Sequence, residues 1–153
     1  MKIGIIVYSK TGHTFSVAEK IQEKLNAANH QAVIEQITIT GEASPGKFEI
    51  IGTPAVDGYD ALVFGAPVQA FSLNPVMDAY LKQLPSLAGK KAAFFVTKQL
   101  PMAWTGGNRA VATMKKACKA KGAETLGSGM AFWKDTKQEE SVKQCVETIC
   151  RLF

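Results

Sequence analysis

The apolar run Ile3-Gly4-Ile5-Ile6-Val7-Tyr8 passes directly into the polar hexapeptide Ser9-Lys10-Thr11-Gly12-His13-Thr14, and an amphipathic stretch from Phe15 to Leu25 follows. A strand that is apolar at successive positions is buried on both faces, as in a helix-covered parallel sheet. The loop after such a strand opens at the edge of the sheet, where the next helix begins. Helix starts leave backbone N–H groups without intrahelical partners and carry partial positive charge, so they suit anions. Ser9, Thr11 and Thr14 add hydroxyl donors, and Gly12 lets the backbone approach a ligand closely. Capping one helix needs one such residue. Three of them around a glycine predict a phosphate loop.

Other phosphate loops fit worse. The strand is not followed by G-x-x-x-x-G-K-S/T or by G-x-G-x-x-G, so neither a nucleoside triphosphate loop nor a dinucleotide fingerprint is supported. Lys10 either neutralises phosphate charge or stays solvated, and His13 either bonds the phosphate or caps the helix.

Strand and helix signals alternate along the rest of the chain. Ala32 to Ile37 reads as a second strand. Residues Thr38 to Tyr59 carry turn signals at Gly41, Ser44-Pro45-Gly46, Gly52, Thr53-Pro54 and Gly58, and are expected to form a long loop with at most a short strand near Phe48 to Ile51. Ala61 to Gly65 is a continuous apolar strand, and a helix from Asn74 to Leu84 follows with Pro75 in its first turn. Lys91 to Thr97 is a fourth strand, Asn108 to Lys121 a helix, and Glu124 to Phe132 a fifth strand. The last helix spans Lys137 to Leu152, with Val142, Val146, Ile149 and Leu152 along one face. Five strands alternating with helices predict a single α/β domain over residues 1–153, with right-handed crossovers and ligands beyond the carboxyl ends of the strands.

At Ser9-Lys10-Thr11-Gly12-His13-Thr14 the chain resembles the flavodoxin-like family, whose S/T-x-T-G-x-T loop after the first strand wraps the 5′-phosphate of flavin mononucleotide (FMN). Every fixed position of that pattern is matched. The resemblance implies a three-layer sandwich around a five-stranded parallel sheet of order 2-1-3-4-5, with FMN as cofactor. It also implies that the loops Pro67-Val68-Gln69-Ala70-Phe71 and Thr97-Lys98-Gln99 through Gly107 hold the flavin ring. Phe71 either lies against the ring or staples its own helix. Trp104, in a polar loop, suits a ligand or an interface, and Gly106-Gly107 either closes that loop or starts a helix.

Two departures bear on function. Flavodoxins commonly place a glycine in the second loop, whose peptide flips to bond the reduced flavin N5. Here that loop is Val68-Gln69-Ala70-Phe71-Ser72. A residue with a Cβ flips less readily, which argues against strong stabilisation of a one-electron-reduced flavin. The formal net charge is +5, unlike the acidic surface usual in the family, and much of it lies on Lys90-Lys91 and Lys115-Lys116-Ala117-Cys118-Lys119-Ala120-Lys121. Those lysines read as a solvated helix face, or as a surface for an acidic protein partner. Without interleaved aromatics they do not suggest nucleic-acid binding.

The resemblance therefore implies a redox protein carrying electrons between partner proteins, or alternatively an FMN-dependent NAD(P)H:quinone-type reductase acting on small acceptors. Both are compatible with a monomer or a homodimer. A phosphoacceptor receiver of the same topology lacks its aspartate, since Gly65-Ala66-Pro67 ends the third strand. The three cysteines have no C-x-x-C spacing and the two histidines offer no metal-ligand pattern, so neither a redox dithiol nor a metal is expected. The odd cysteine count, the lack of a signal-peptide pattern after Met1-Lys2 and the lack of a long apolar run predict a cytoplasmic protein without membrane attachment.

Overall fold

A computed structural model describes residues 1–99, 106–133 and 138–153. The elements run β1 (Lys2–Val7), α1 (His13–Ala27), β2 (Gln31–Gln36), β3 (Thr38–Gly41), β4 (Phe48–Gly52), β5 (Ala61–Gln69), β6 (Ser72–Leu73), α2 (Pro75–Lys82), β7 (Lys91–Lys98), α3 (Gly107–Ala120), β8 (Glu124–Phe132) and α4 (Gln138–Cys150). The long strands pair in parallel in the order β2-β1-β5-β7-β8. Counted along the chain as first to fifth, that is the expected 2-1-3-4-5. The short β6 pairs antiparallel with the end of β5.

Alternation along the central strands separates two cores. Ile3, Ile5, Val7, Ala93 and Phe95 face one side, where Val17, Ile21 and Leu25 of α1 meet Val142, Cys145, Val146 and Ile149 of α4. Ile6, Phe64, Phe94 and Val96 face the other, under Val76, Met77 and Tyr80 of α2 and Ala110, Met114 and Cys118 of α3. Phe64, Phe94 and Phe95 are all at most 1% exposed, each burial contributing about 1.5–3 kcal/mol. Two helices on each face of the sheet make the three layers. Among the described residues no helix is long and apolar enough to cross a membrane.

Residues 38–59 differ from the expected loop. Residues 38–52 form a two-stranded antiparallel hairpin, in which β4 is the expected short strand and β3 its unexpected partner; Ile39, Phe48 and Ile50 pack against the α2–α3 side of the sheet, and residues 53–59 carry no strand. Its turn and bulge signals are real, but Thr38-Ile39-Thr40 and Phe48-Glu49-Ile50 alternate with the period of a strand that is covered on one face only. Gly41, with φ 91°, permits the sharp reversal: a Cβ there would meet the Lys47 carbonyl oxygen. The other boundaries shift by a few residues. The largest shift is in β5, which continues through Pro67-Val68-Gln69 because its last residues gain β6 as a partner.

Candidate functional site

The site lies where β1, β5 and β7 end together. Beyond β1, Ser9 Oγ accepts from the Gly12 N–H at 3.1 Å and from the Phe15 N–H at 3.3 Å. Ser9 thus folds the loop back over the start of α1 and satisfies one of the orphan donors itself. Gly12 precedes the helix with φ 91°, in the left-handed region that disfavours a side chain, and an added Cβ there would meet nothing within 4 Å. Its role is conformational, and the space in front of it is open. The following N–H groups of His13 and Thr14 belong to the first helical turn, which lacks preceding carbonyl partners by geometry.

Thr14 is 2% exposed, and its hydroxyl shares a hydrogen bond of 2.8 Å with the Thr97 hydroxyl. That bond fixes the first turn of α1 to the end of β7, so Thr14 shapes the site from beneath. His13 is stacked on Trp133, with ring centroids 4.5 Å apart and planes 13° from parallel. Trp133 follows β8, and its backbone N–H donates to the Lys98 carbonyl at 3.0 Å. Nothing about Trp133 marks it in the sequence as a partner of His13. Its position immediately after the last strand of the sheet was the available signal.

Lys10, Thr11, His13, Pro67, Val68, Gln69, Thr97, Lys98 and Gln99 line one cleft of about 350 Å³. Lys98 is 6% exposed, and burial lowers its amine from the ordinary lysine value. Its stem runs beside Gly107 of α3: a Cβ on Gly107 would lie 3.4 Å from Lys98 Cδ and 2.6 Å from Met130 Sδ. Gly107 is therefore a packing position beneath the cleft.

The Gln69 side chain faces away from a ligand role. Its amide donates to the Ala43 carbonyl beyond β3, and its oxygen accepts from Asn74 Nδ2 at 2.9 Å. Asn74 Oδ1 in turn caps α2 by accepting from the Val76 and Met77 N–H groups, at 2.9 and 3.2 Å. The backbone of Gln69 remains at the cleft.

Ala70 and Phe71 form the two-residue turn between β5 and β6, with φ values of 50° and 59°. Two positive φ values in succession fit the twist of a tight hairpin but cost side-chain-bearing residues about 1–2 kcal/mol each. Phe71 is 62% exposed rather than packed under α2, which rules out the staple. The Phe71 backbone touches Gly106, which has φ 110° and would bring a Cβ to 2.6 Å from Phe71 Cα. Gly106 thus both starts α3 and admits this close approach. Trp104 lies outside the described residues.

The arrangement offers helix-start amides and a lysine for an anionic group, beside a cleft whose floor is the end of the sheet. Comparisons with known proteins place the fold and the family. A family model described as a flavodoxin domain matches residues 4–127. Flavodoxin 2 from Bacillus cereus, in its oxidised form, is 22% identical, with a TM-score of 0.68 and full coverage of both chains (100% of each). Two-electron-reduced Megasphaera elsdenii flavodoxin is 19% identical with a TM-score of 0.69, covering 97% of this chain and 98% of that one. A Fusobacterium nucleatum flavodoxin mutant bound to FMN is 14% identical with a TM-score of 0.68, covering 97% and 92%. The comparison with curated proteins gave no match. These structural likenesses concern the fold, whereas the family model spans most of the sequence: the chain belongs to the flavodoxin domain family.

Proposed function

We propose that residues 1–153 act as one FMN-binding domain that carries electrons between partner proteins in the cytoplasm. The observation that carries this reading is the continuity of two features: the Gly12 helix start, open to solvent, and the cleft that runs from it to Lys98 and Gln99. The fit to FMN is chemical as well as spatial. The N–H groups of His13 and Thr14 and the Lys10 ammonium suit the phosphate dianion. The cleft between Pro67–Gln69 and Thr97–Gln99 has the size of a small-molecule site.

FMN supplies reversible one- and two-electron chemistry when bound. The protein's own groups bind and orient it. Ser9 and the Thr14–Thr97 bond hold the phosphate loop in shape. His13, braced by Trp133, walls one end, and Val68, Gln69, Lys98 and Gln99, which line the cleft, would border the polar edge of the ring. The buried Lys98 lines the cleft with its stem against Gly107, and desolvation disfavours its charged form.

A specific observation favours a second reading, an FMN-dependent NAD(P)H:quinone-type reductase. Across Lys10 from the cofactor cleft, another cleft of about 440 Å³ lies between Tyr8, Ile39 and residues 41–44 of the hairpin. It has room for a small acceptor, and the turn at Ala70–Phe71 lacks the glycine usual in electron carriers.

The deciding measurement is the visible spectrum of the purified protein after FMN addition and desalting, followed by anaerobic stepwise reduction. Retained flavin bands with a distinct one-electron stage support the carrier. Retained flavin that reduces in a single two-electron stage, with turnover on NAD(P)H and a quinone, supports the reductase. Loss of all flavin on desalting refutes both.

A further inference from the structure

The charge on α3 is of one sign only. Gly107–Ala120 carries Arg109, Lys115, Lys116 and Lys119, all exposed, and no acidic residue. Arg109 stands in the first turn, at the positive end of the helix dipole, and Lys115 and Lys119 are like charges one turn apart. The other helices do not carry cations alone: Asp78 pairs with Lys82 in α2, α1 carries both signs, and α4 is net acidic, its Glu147 pairing with Arg151 just beyond the helix. Removing the four α3 cations from a formal net charge of +5 leaves +1, so this one face supplies most of the imbalance.

The face does not end in neutral surface. At its N-terminal end stands Phe71, 62% exposed, on a turn that holds two non-glycine residues at positive φ and rests its backbone on Gly106. Backbone strain that displays an aromatic side chain to water gives the fold no stability of its own. An aromatic anchor beside a stripe of one charge is the composition of a protein-docking surface, with the anchor supplying affinity and the stripe supplying steering.

We propose that Phe71 and the exposed face of α3 form the docking surface for an acidic electron-transfer protein. The inference rests on the FMN reading for its purpose, because Phe71 adjoins the cleft through Gln69. It rests on charge complementarity alone for its partner. The transfer balances simply: one fully reduced FMN gives two electrons, one to each of two oxidised partner centres, and releases its proton to water.

The test uses the full-length holoprotein, reduced anaerobically with dithionite and mixed in stopped flow with an acidic cytochrome b5 or, as control, a basic cytochrome c. The rate with the acidic cytochrome is expected to fall by about tenfold between about 20 mM and about 300 mM salt, as screening of exposed charges dictates. It is expected to fall by about tenfold in the Arg109→Glu/Lys116→Glu variant at low salt, with the flavin spectrum and circular dichroism unchanged. A salt-independent rate, a faster reaction with the basic cytochrome, or an unchanged rate in the variant overturns the proposal. Binding of cytochrome b5 to flavin-free protein, followed by fluorescence anisotropy, separates the two readings. Salt-sensitive binding that the variant loses upholds the docking surface even if FMN is not retained, and its absence refutes the surface even if FMN is. Equal or tighter binding to duplex DNA or to anionic vesicles at physiological salt also overturns it.

Discussion

His13 occupies the variable position of the phosphate loop, and the structure gives it a partner 120 positions away, Trp133. Near-parallel rings at 4.5 Å hold the imidazole in one orientation beside the first N–H groups of α1. The stack thereby ties the phosphate loop to the end of β8, in the same way that the Thr14–Thr97 bond ties it to β7. Trp133→Ala frees the imidazole and uncovers one wall of the loop. The expected loss of FMN affinity is about 0.5–1.5 kcal/mol, a factor of roughly two to ten. Fluorescence titration checks it, and a double-mutant cycle with His13→Ala isolates the pair. If the two single losses add without coupling, Trp133 does not act through His13. The loop motif itself was plain in the sequence, because Ser9 to Thr14 are contiguous and their chemistry is local. The stack and the threonine pair were not, because sequence spacing carries no record of which strand end meets which helix start.

At the scale of elements, sequence reading found the short strand β4 but missed β3 and the hairpin the two form. Its alternation covers only a few residues on each side of the turn, and the Gly and Pro signals around it outweighed that short period. The longer elements were legible for the opposite reason: β5 and β7 are apolar at nearly every position, and α4 repeats its buried residues at helical spacing. Besides the packing of Ile39, Phe48 and Ile50, Gln69 ties the hairpin to the sheet, its side chain joining the Ala43 carbonyl to the cap residue Asn74. Ala43 and Asn74 are both buried, so neither group regains water easily when the bridge is cut. Gln69→Ala is expected to cost about 1–3 kcal/mol in urea unfolding, the penalty of stranding buried polar groups. Amide exchange should quicken in the hairpin and in the first turn of α2, and stay slow in β1 and β7. An unchanged unfolding midpoint would show that the bridge contributes nothing to holding the hairpin.

For the molecule as a whole, its titratable interior makes the fold sensitive to alkali rather than to oxidation. Cys118 and Cys145 are buried on opposite faces of the sheet, and burial pushes both thiols up to about 12 from an ordinary 9.0. Cys150 is half-buried and raised in the same direction by the same cause. Tyr59 is raised to about 12 as well, chiefly by burial and then by its hydrogen bond to Glu35. At pH 8 a thiol with such a value exposes roughly a thousandfold less thiolate than a free one, and thiolate is the reactive form. In the native protein Cys118 and Cys145 should therefore react slowly with a disulfide reagent, the half-buried Cys150 sooner, and all three at once in denaturant. The sign of the pH effect follows from proton counting. Between about 9 and about 12 the folded state keeps protons that the unfolded chain has released, so stability is complete below that window and falls as pH rises through it. Urea midpoints measured at pH 8 and pH 10 should show the lower value at pH 10. A flat profile, together with fast labelling of Cys118 and Cys145 in the native protein, would mean that the helices on the two faces open far more readily than their packing implies.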